Sequence, residues 1–234
     1  MEFSETKFRD TSDKNTILNI YHRLFDEYGP QYWWPGDSKL EIIVGAILTQ
    51  GTLWENAEKA ISNLRHESKL DIASLHDMTD GEMARLLHPS VYFNVKTRKV
   101  KAFVWHILDK YHGDLDLFLS SDAGNLRREL LGIYGIGEET ADDIVLYAAG
   151  KPSFVIDAYT RRILIRIGIY PDKETYSGYQ DLFIERLPSD ANLFGEFHAL
   201  LDEHASNKCR KVKPICDTCC LMEICSTGLS SLRG

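Results

Sequence analysis

Cys209, Cys216, Cys219 and Cys225 follow the spacing C-x6-C-x2-C-x5-C near the end of the chain. Four thiolates in so short a stretch can close around one metal centre. The spacing alone leaves a [4Fe-4S] cluster and a single zinc ion both open. The remaining cysteine, Cys220, reads as a small side chain beside that set. A second feature is the turn Gly135-Ile136-Gly137, which runs into Glu138-Glu139-Thr140-Ala141. Glycines permit positive φ and close backbone approach, and the amides that open a helix point outward, so a phosphate can dock there without any side chain. About twenty residues further on, Asp157 follows the apolar run Phe154-Val155-Ile156 and opens a predicted helix. A carboxylate there can cap the helix, whose dipole favours negative charge. The fourth feature is aromatic: Tyr32-Trp33-Trp34-Pro35, with Trp54 after Leu48-Thr49-Gln50-Gly51-Thr52-Leu53. Tryptophans mostly fill cores, but rings above and below a planar cation also bind it.

The elements that must position these residues are helical. Apolar residues recur close to a 3.6 period over 15–28, and Ser38 caps an apolar segment from Leu40 to Leu48. Periodicity resumes at Ala57, Ile61 and Leu64, and further helices fit near 69–76, 79–87, 95–111, 114–120, 122–131, 139–149, 157–167, 175–186 and 190–206. No window alternates with period two, so the expected fold class is all-α. The chain has 234 residues, 44% hydrophobic and 26% charged, enough for one large or two small domains. No apolar run reaches the roughly 20 residues that span a bilayer, and Met1–Lys14 has no signal-peptide core, so a cytoplasmic protein is expected. In that compartment clustered cysteines read as metal ligands rather than disulfides. The net charge of -8 argues against nucleic acid, but basic residues gather at Lys96, Arg98, Lys99 and Lys101, at Arg127 and Arg128, and at Arg210, Lys211 and Lys213. Each cluster alone reads as a solvated face. Three of them beside the motifs favour a DNA surface.

Taken in this order, the Gly-x-Gly turn, the aspartate and the cysteine loop resemble the helix-hairpin-helix DNA glycosylases of the endonuclease III superfamily. The resemblance runs from about residue 17 to 225. It implies a helical barrel over 31–150 carrying the hairpin, a second helical domain from 1–30 with 151–234, and an active cleft between them. It implies a [4Fe-4S] cluster on the four cysteines, with Arg210, Lys211 and Lys213 on a loop that meets the DNA backbone. Gly135, Gly137 and Thr140 would belong to the DNA-binding hairpin, and Gln50 would fill the gap left by an extruded nucleotide. Asp157 aligns with the superfamily's essential aspartate. That carboxylate stabilises the positive charge that develops on the deoxyribose as the N-glycosidic bond breaks. Two departures matter. Glu138 stands where the motif is often basic, and with Glu139, Asp142 and Asp143 it would repel phosphates. Glu139 stands where strand-cleaving members carry a lysine that attacks the sugar, so the resemblance implies base release without lyase action.

The Trp-Trp-Pro run, LTQ-x-T, the aromatic four residues after Gln50, Glu139 and Asp157-Ala158-Tyr159 together are closest to 3-methyladenine DNA glycosylase III-like proteins. Trp33 and Pro35 on one side and Trp54 on the other would then form a base pocket, with Trp34 a core residue. A 3-methylated purine is cationic and already weakly bonded, so stacking rings suit it and a strong general acid is not needed. The expected partner is double-stranded DNA holding a damaged base, bound by a monomer. Two rivals stand beside this reading: a bifunctional glycosylase/lyase for oxidised pyrimidines using another lysine, and a DNA-damage binding protein without catalysis. Ala46, four residues before Gln50, replaces the glutamate used for mismatched adenine.

Overall fold

The computed structural model describes residues 14–33 and 36–231, and every regular element among them is helical, as the periodicity leads one to expect. In chain order the α-helices are Lys14–Tyr28 (α1), Lys39–Leu48 (α2), Trp54–His66 (α3), Ile72–Asp77 (α4), Asp80–Leu87 (α5), Phe93–Tyr111 (α6), Leu115–Ser120 (α7), Ala123–Leu131 (α8), Glu138–Asp143 (α9), Ala158–Ile167 (α10), Tyr176–Ile184 (α11), Ala191–Asn207 (α12) and Ser226–Ser231 (α13). Among the described residues no helix is long and apolar enough to cross a membrane. Trp34 and Pro35 lie outside the described residues.

The chain divides into two compact units, Trp34–Val155 and the pair Met1–Trp33 with Ile156–Gly234. The first is organised around α2. Beyond Glu41 its sequence, IIVGAIL, is apolar on all sides, which fits a helix surrounded by others rather than one lying on a surface. Ser38 accepts the Glu41 N–H and starts it. Glu41 is itself buried, at a position where an unpaired carboxylate would be strongly destabilising, and Arg65 of α3 donates to it from Nε at 2.9 Å. Gly45 faces the Trp54 ring and Ile61, so a helical glycine here admits close approach. Phe103, Phe118, Leu126 and Ile144 continue this core.

One helix departs from its expected form. The segment expected as a single helix over 139–149 is α-helical only to Asp143 and then widens into a π turn, Ile144–Ala148, closed by Ala149 N–H on the Ile144 carbonyl at 3.0 Å. Ile144, Val145, Leu146 and Ala148 are all buried, so no amphipathic period marks the change of register.

In the second unit α1, α10 and α12 pack together. Ile17, Ile20 and Leu24 of α1 are buried, and the Phe197 ring of α12 meets Tyr21 and Phe183 edge-on at 5.3 and 5.5 Å. Two arginines one turn apart on α10, Arg162 and Arg166, reach the segment that follows α12.

Candidate active site

Asp157 ends the buried strand-like run Phe154-Val155-Ile156 and is the N-cap of α10. Its Oδ1 accepts the Thr160 N–H at 2.7 Å. Its Oδ2 lies 4.0 Å from Nε2 of His198 on α12, and the side chain keeps 18% of its surface in solvent. The indole of Trp33 also meets His198, ring centroids 5.5 Å apart and tilted by 54°. An aromatic ring and a carboxylate therefore meet one imidazole within one unit. Burial pushes the His198 imidazole below its ordinary value, opposed by the charge of Asp157.

One turn further along α12, burial and then the charges of Asp157 and Glu203 push Asp202 up to about 7. A carboxyl whose folded value is raised stabilises the fold below the unfolded value near 4, and that contribution is lost as pH rises through about 7. Asp202→Asn is therefore expected to leave Tm nearly unchanged at pH 4 and to raise it at pH 8. A Tm lowered equally at both would contradict this electrostatic origin.

In the other unit the hairpin joins α8 to α9 through Gly135, at φ 85, and Gly137, the N-cap of α9. Gln50, just after α2, donates from Nε2 to the Gly135 carbonyl at 3.0 Å and to Thr140 Oγ1 at 2.8 Å. Its Oε1 accepts from Lys99 Nζ, and the Lys99 stem lies where a Cβ on Gly135 would sit. Gln50, in this conformation, ties the turn to α6. Gly135→Ala meets both a left-handed backbone and the Lys99 stem, a penalty of roughly 1–3 kcal/mol from the backbone alone. It is expected to lower Tm, and an unchanged melting curve would show that the turn relaxes freely.

Two of the expected basic clusters each lose a member to the interior, while Arg98 and Arg128 stay exposed. Lys96 is buried, donating to the carbonyls of Leu48 at 2.7 Å and of Ser90, so it holds the end of α2. Arg127 grips the fully buried Asp142 through Nε at 2.8 Å and Nη2 at 3.1 Å, and Glu138 lies 3.7 Å away. The same pairing corrects the expected acidity of the hairpin. Asp142 and Asp143 are buried, leaving Glu138 and Glu139 as the exposed carboxylates of α9. Lys151, the lysine closest in sequence beyond Glu139, donates to the Leu119 carbonyl.

Cys209, Cys216, Cys219 and Cys225 line one mostly apolar pocket together with Ile163, Ile215 and Leu221. Among the described residues no group of three His, Cys, Asp or Glu stands ready to hold a single ion. The donor set nonetheless fits a cluster: four thiols around one cavity, with Arg166 Nη1 at 3.2 Å from Cys209 Sγ and the Gly228 N–H at 3.4 Å from Cys225 Sγ, both suited to thiolate. Arg166 also donates to the carbonyls of Cys209, Arg210 and Lys211 at 3.0, 2.7 and 3.1 Å, and Arg162 to Cys209 at 2.9 Å. The helix capped by Asp157 thus carries the loop that presents Arg210, Lys211 and Lys213, all exposed.

Trp54 is half-buried against the core of its own unit, and Pro35 lies outside the described residues. The sequence reading did not single out His198, Arg162 or Arg166. A lone histidine on the apolar run FHALL looks like a core residue, whereas the arginines at 162 and 166, spaced by four on one helix, were a readable hint.

A model of the HhH-GPD superfamily base excision DNA repair proteins matches residues 44–189. A Methanocaldococcus jannaschii protein with the curated name "Putative DNA repair glycosylase MJ1434" is 40% identical over 211 residues, 89% of this chain and 95% of its own. The fold is similar to that of a trapped endonuclease III–DNA covalent intermediate, with TM-score 0.82 at 17% identity over 94% of this chain and 99% of that one. It is also similar to that of an H. pylori 3-methyladenine DNA glycosylase bound to 1,N6-ethenoadenine, with TM-score 0.71 at 25% identity over 83% of this chain and 97% of that one.

Proposed function

Given that the chain belongs to the HhH-GPD superfamily of base excision DNA repair proteins, we propose that this DNA repair glycosylase is monofunctional and excises alkylated purines such as 3-methyladenine. The observation that carries the reading is the contact of Trp33 and Asp157 with one imidazole. A cationic base stacked on an indole out of water gains about 2 kcal/mol, roughly 30-fold, over a neutral one. The carboxylate beside it stabilises the sugar cation left as the base departs. The similar H. pylori 3-methyladenine DNA glycosylase, bound to 1,N6-ethenoadenine, supports this substrate class.

Base release without strand cleavage rests on Glu139, an exposed carboxylate where lyase members of the superfamily bear an amine. Lys96 and Lys151 are held by backbone carbonyls, and Lys99 by Gln50. The residues Gly135, Gly137, Thr140 and Gln50 would engage the DNA at the hairpin, and Arg210, Lys211 and Lys213 would contact phosphates. A [4Fe-4S] cluster on Cys209, Cys216, Cys219 and Cys225 would act as a rigid cross-link that shapes this loop. Borohydride treatment of the protein on DNA holding an abasic site tests the monofunctional assignment. No covalent protein–DNA adduct is expected, and a trapped adduct would show that another amine reaches the sugar.

A further inference from the structure

His198 is buried at 4% exposure on α12, where the neighbouring positions Leu200 and Leu201 are apolar. A leucine there would fill the same space without the cost of burying an imidazole. What the ring touches gives the histidine a purpose. The Trp33 indole lies at an aromatic separation of 5.5 Å. Oδ2 of Asp157 lies at 4.0 Å, too long for a hydrogen bond and short enough for a small shift to make one. The two oxygens of Asp157 are thereby distinguished, since Oδ1 is held by the Thr160 N–H.

We propose that His198 is a positioning residue for base excision: its ring fixes Oδ2 of Asp157 and seats Trp33, so that the carboxylate and the indole are held in one register. This rests on the reading of Asp157 as the catalytic carboxylate. An imidazolium at 4.0 Å would offset the negative charge that the sugar cation needs, and burial disfavours that charged form. Asp157 is the charge that acts on the ring, and Asp157, Glu203 and Arg162 act on Asp202 one turn along α12, where Glu196 accepts the Gln31 N–H. Asp202, raised to about 7, holds its proton more readily than an ordinary carboxyl and so adds less negative charge beside Asp157.

Single-turnover release of 3-methyladenine from methylated duplex, with binding to an abasic-site duplex measured in parallel, tests this on the full chain. His198→Leu is expected to slow release roughly 10- to 100-fold, the usual cost of losing an orienting partner, while abasic-site binding changes little. His198→Gln can place an amide N–H near the position of Nε2 and is expected to recover most of the rate. His198→Leu at the wild-type rate, or His198→Gln as slow as His198→Leu, would overturn the proposal. If the leucine variant fails to fold, ¹⁵N NMR of the wild-type imidazole at pH 8 decides: a ring protonated at Nε2 is expected, and a ring protonated at Nδ1 alone would overturn it. Asp157→Asn serves as the control. Full activity there would remove the premise, whereas an inactive Asp157→Asn beside a fully active His198→Leu would sink this inference alone.

Discussion

Asp157→Asn is expected to slow base release by about 10²- to 10³-fold, the usual cost of removing one preorganised electrostatic contact to a developing charge, and to leave the fold standing. The separation of the two effects follows from the double role of the side chain. As N-cap of α10, Asp157 accepts the Thr160 N–H at 2.7 Å, and asparagine caps helices as well as aspartate does. Melting temperature and binding to an abasic-site duplex should therefore hold. The charge that faces the sugar is lost, because an amide oxygen carries only a partial one. Single-turnover release and a melting curve on the same preparation check both halves. A variant that melts far below wild type would mean that the cap, rather than the charge, dominates this position.

The second large effect is expected from the cysteine loop. Replacing Cys216 or Cys219 by serine removes one of the four thiolates that would hold the cluster, and the rest of the loop has little apolar core of its own: Arg210, Lys211, Val212 and Lys213 are all exposed. Metal-site binding energy is folding energy in such segments. The variants are expected to lose visible iron–sulfur absorbance, to melt earlier, and to bind duplex DNA at least about tenfold more weakly with a shallower salt dependence as the loop's cations lose their placement. Arg162 and Arg166 hold the loop to α10 through backbone carbonyls, so part of its shape survives without the cluster, and the Asp157 end of the helix should remain intact. Wild-type protein containing zinc and no iron would instead favour the other metal that the cysteine spacing permits.

The helices and the motifs were legible in the sequence because they are local. The Ser38 cap, the apolar run of α2 and the Gly-x-Gly turn before α9 each depend on neighbours a few residues apart. Side-chain destinations were not. Lys96 and Lys99 look alike in a basic run, yet one is buried under carbonyls and the other bonds Gln50, because α6 turns one inward and lays the other along the hairpin. Arg127 and Asp142 seemed to set opposite charges on the hairpin and instead neutralise each other. His198 carried no signal, since its partners, Trp33 and Asp157, are distant along the chain.

The account turns on which base leaves and what happens to the strand. Incubating purified protein with methylated duplex DNA, with chromatography of the freed bases and a denaturing gel of the strand, measures both at once. Freed 3-methyladenine with an unbroken backbone is the predicted result. Strand nicking, or release of oxidised pyrimidines with methylated purines left in place, would contradict it.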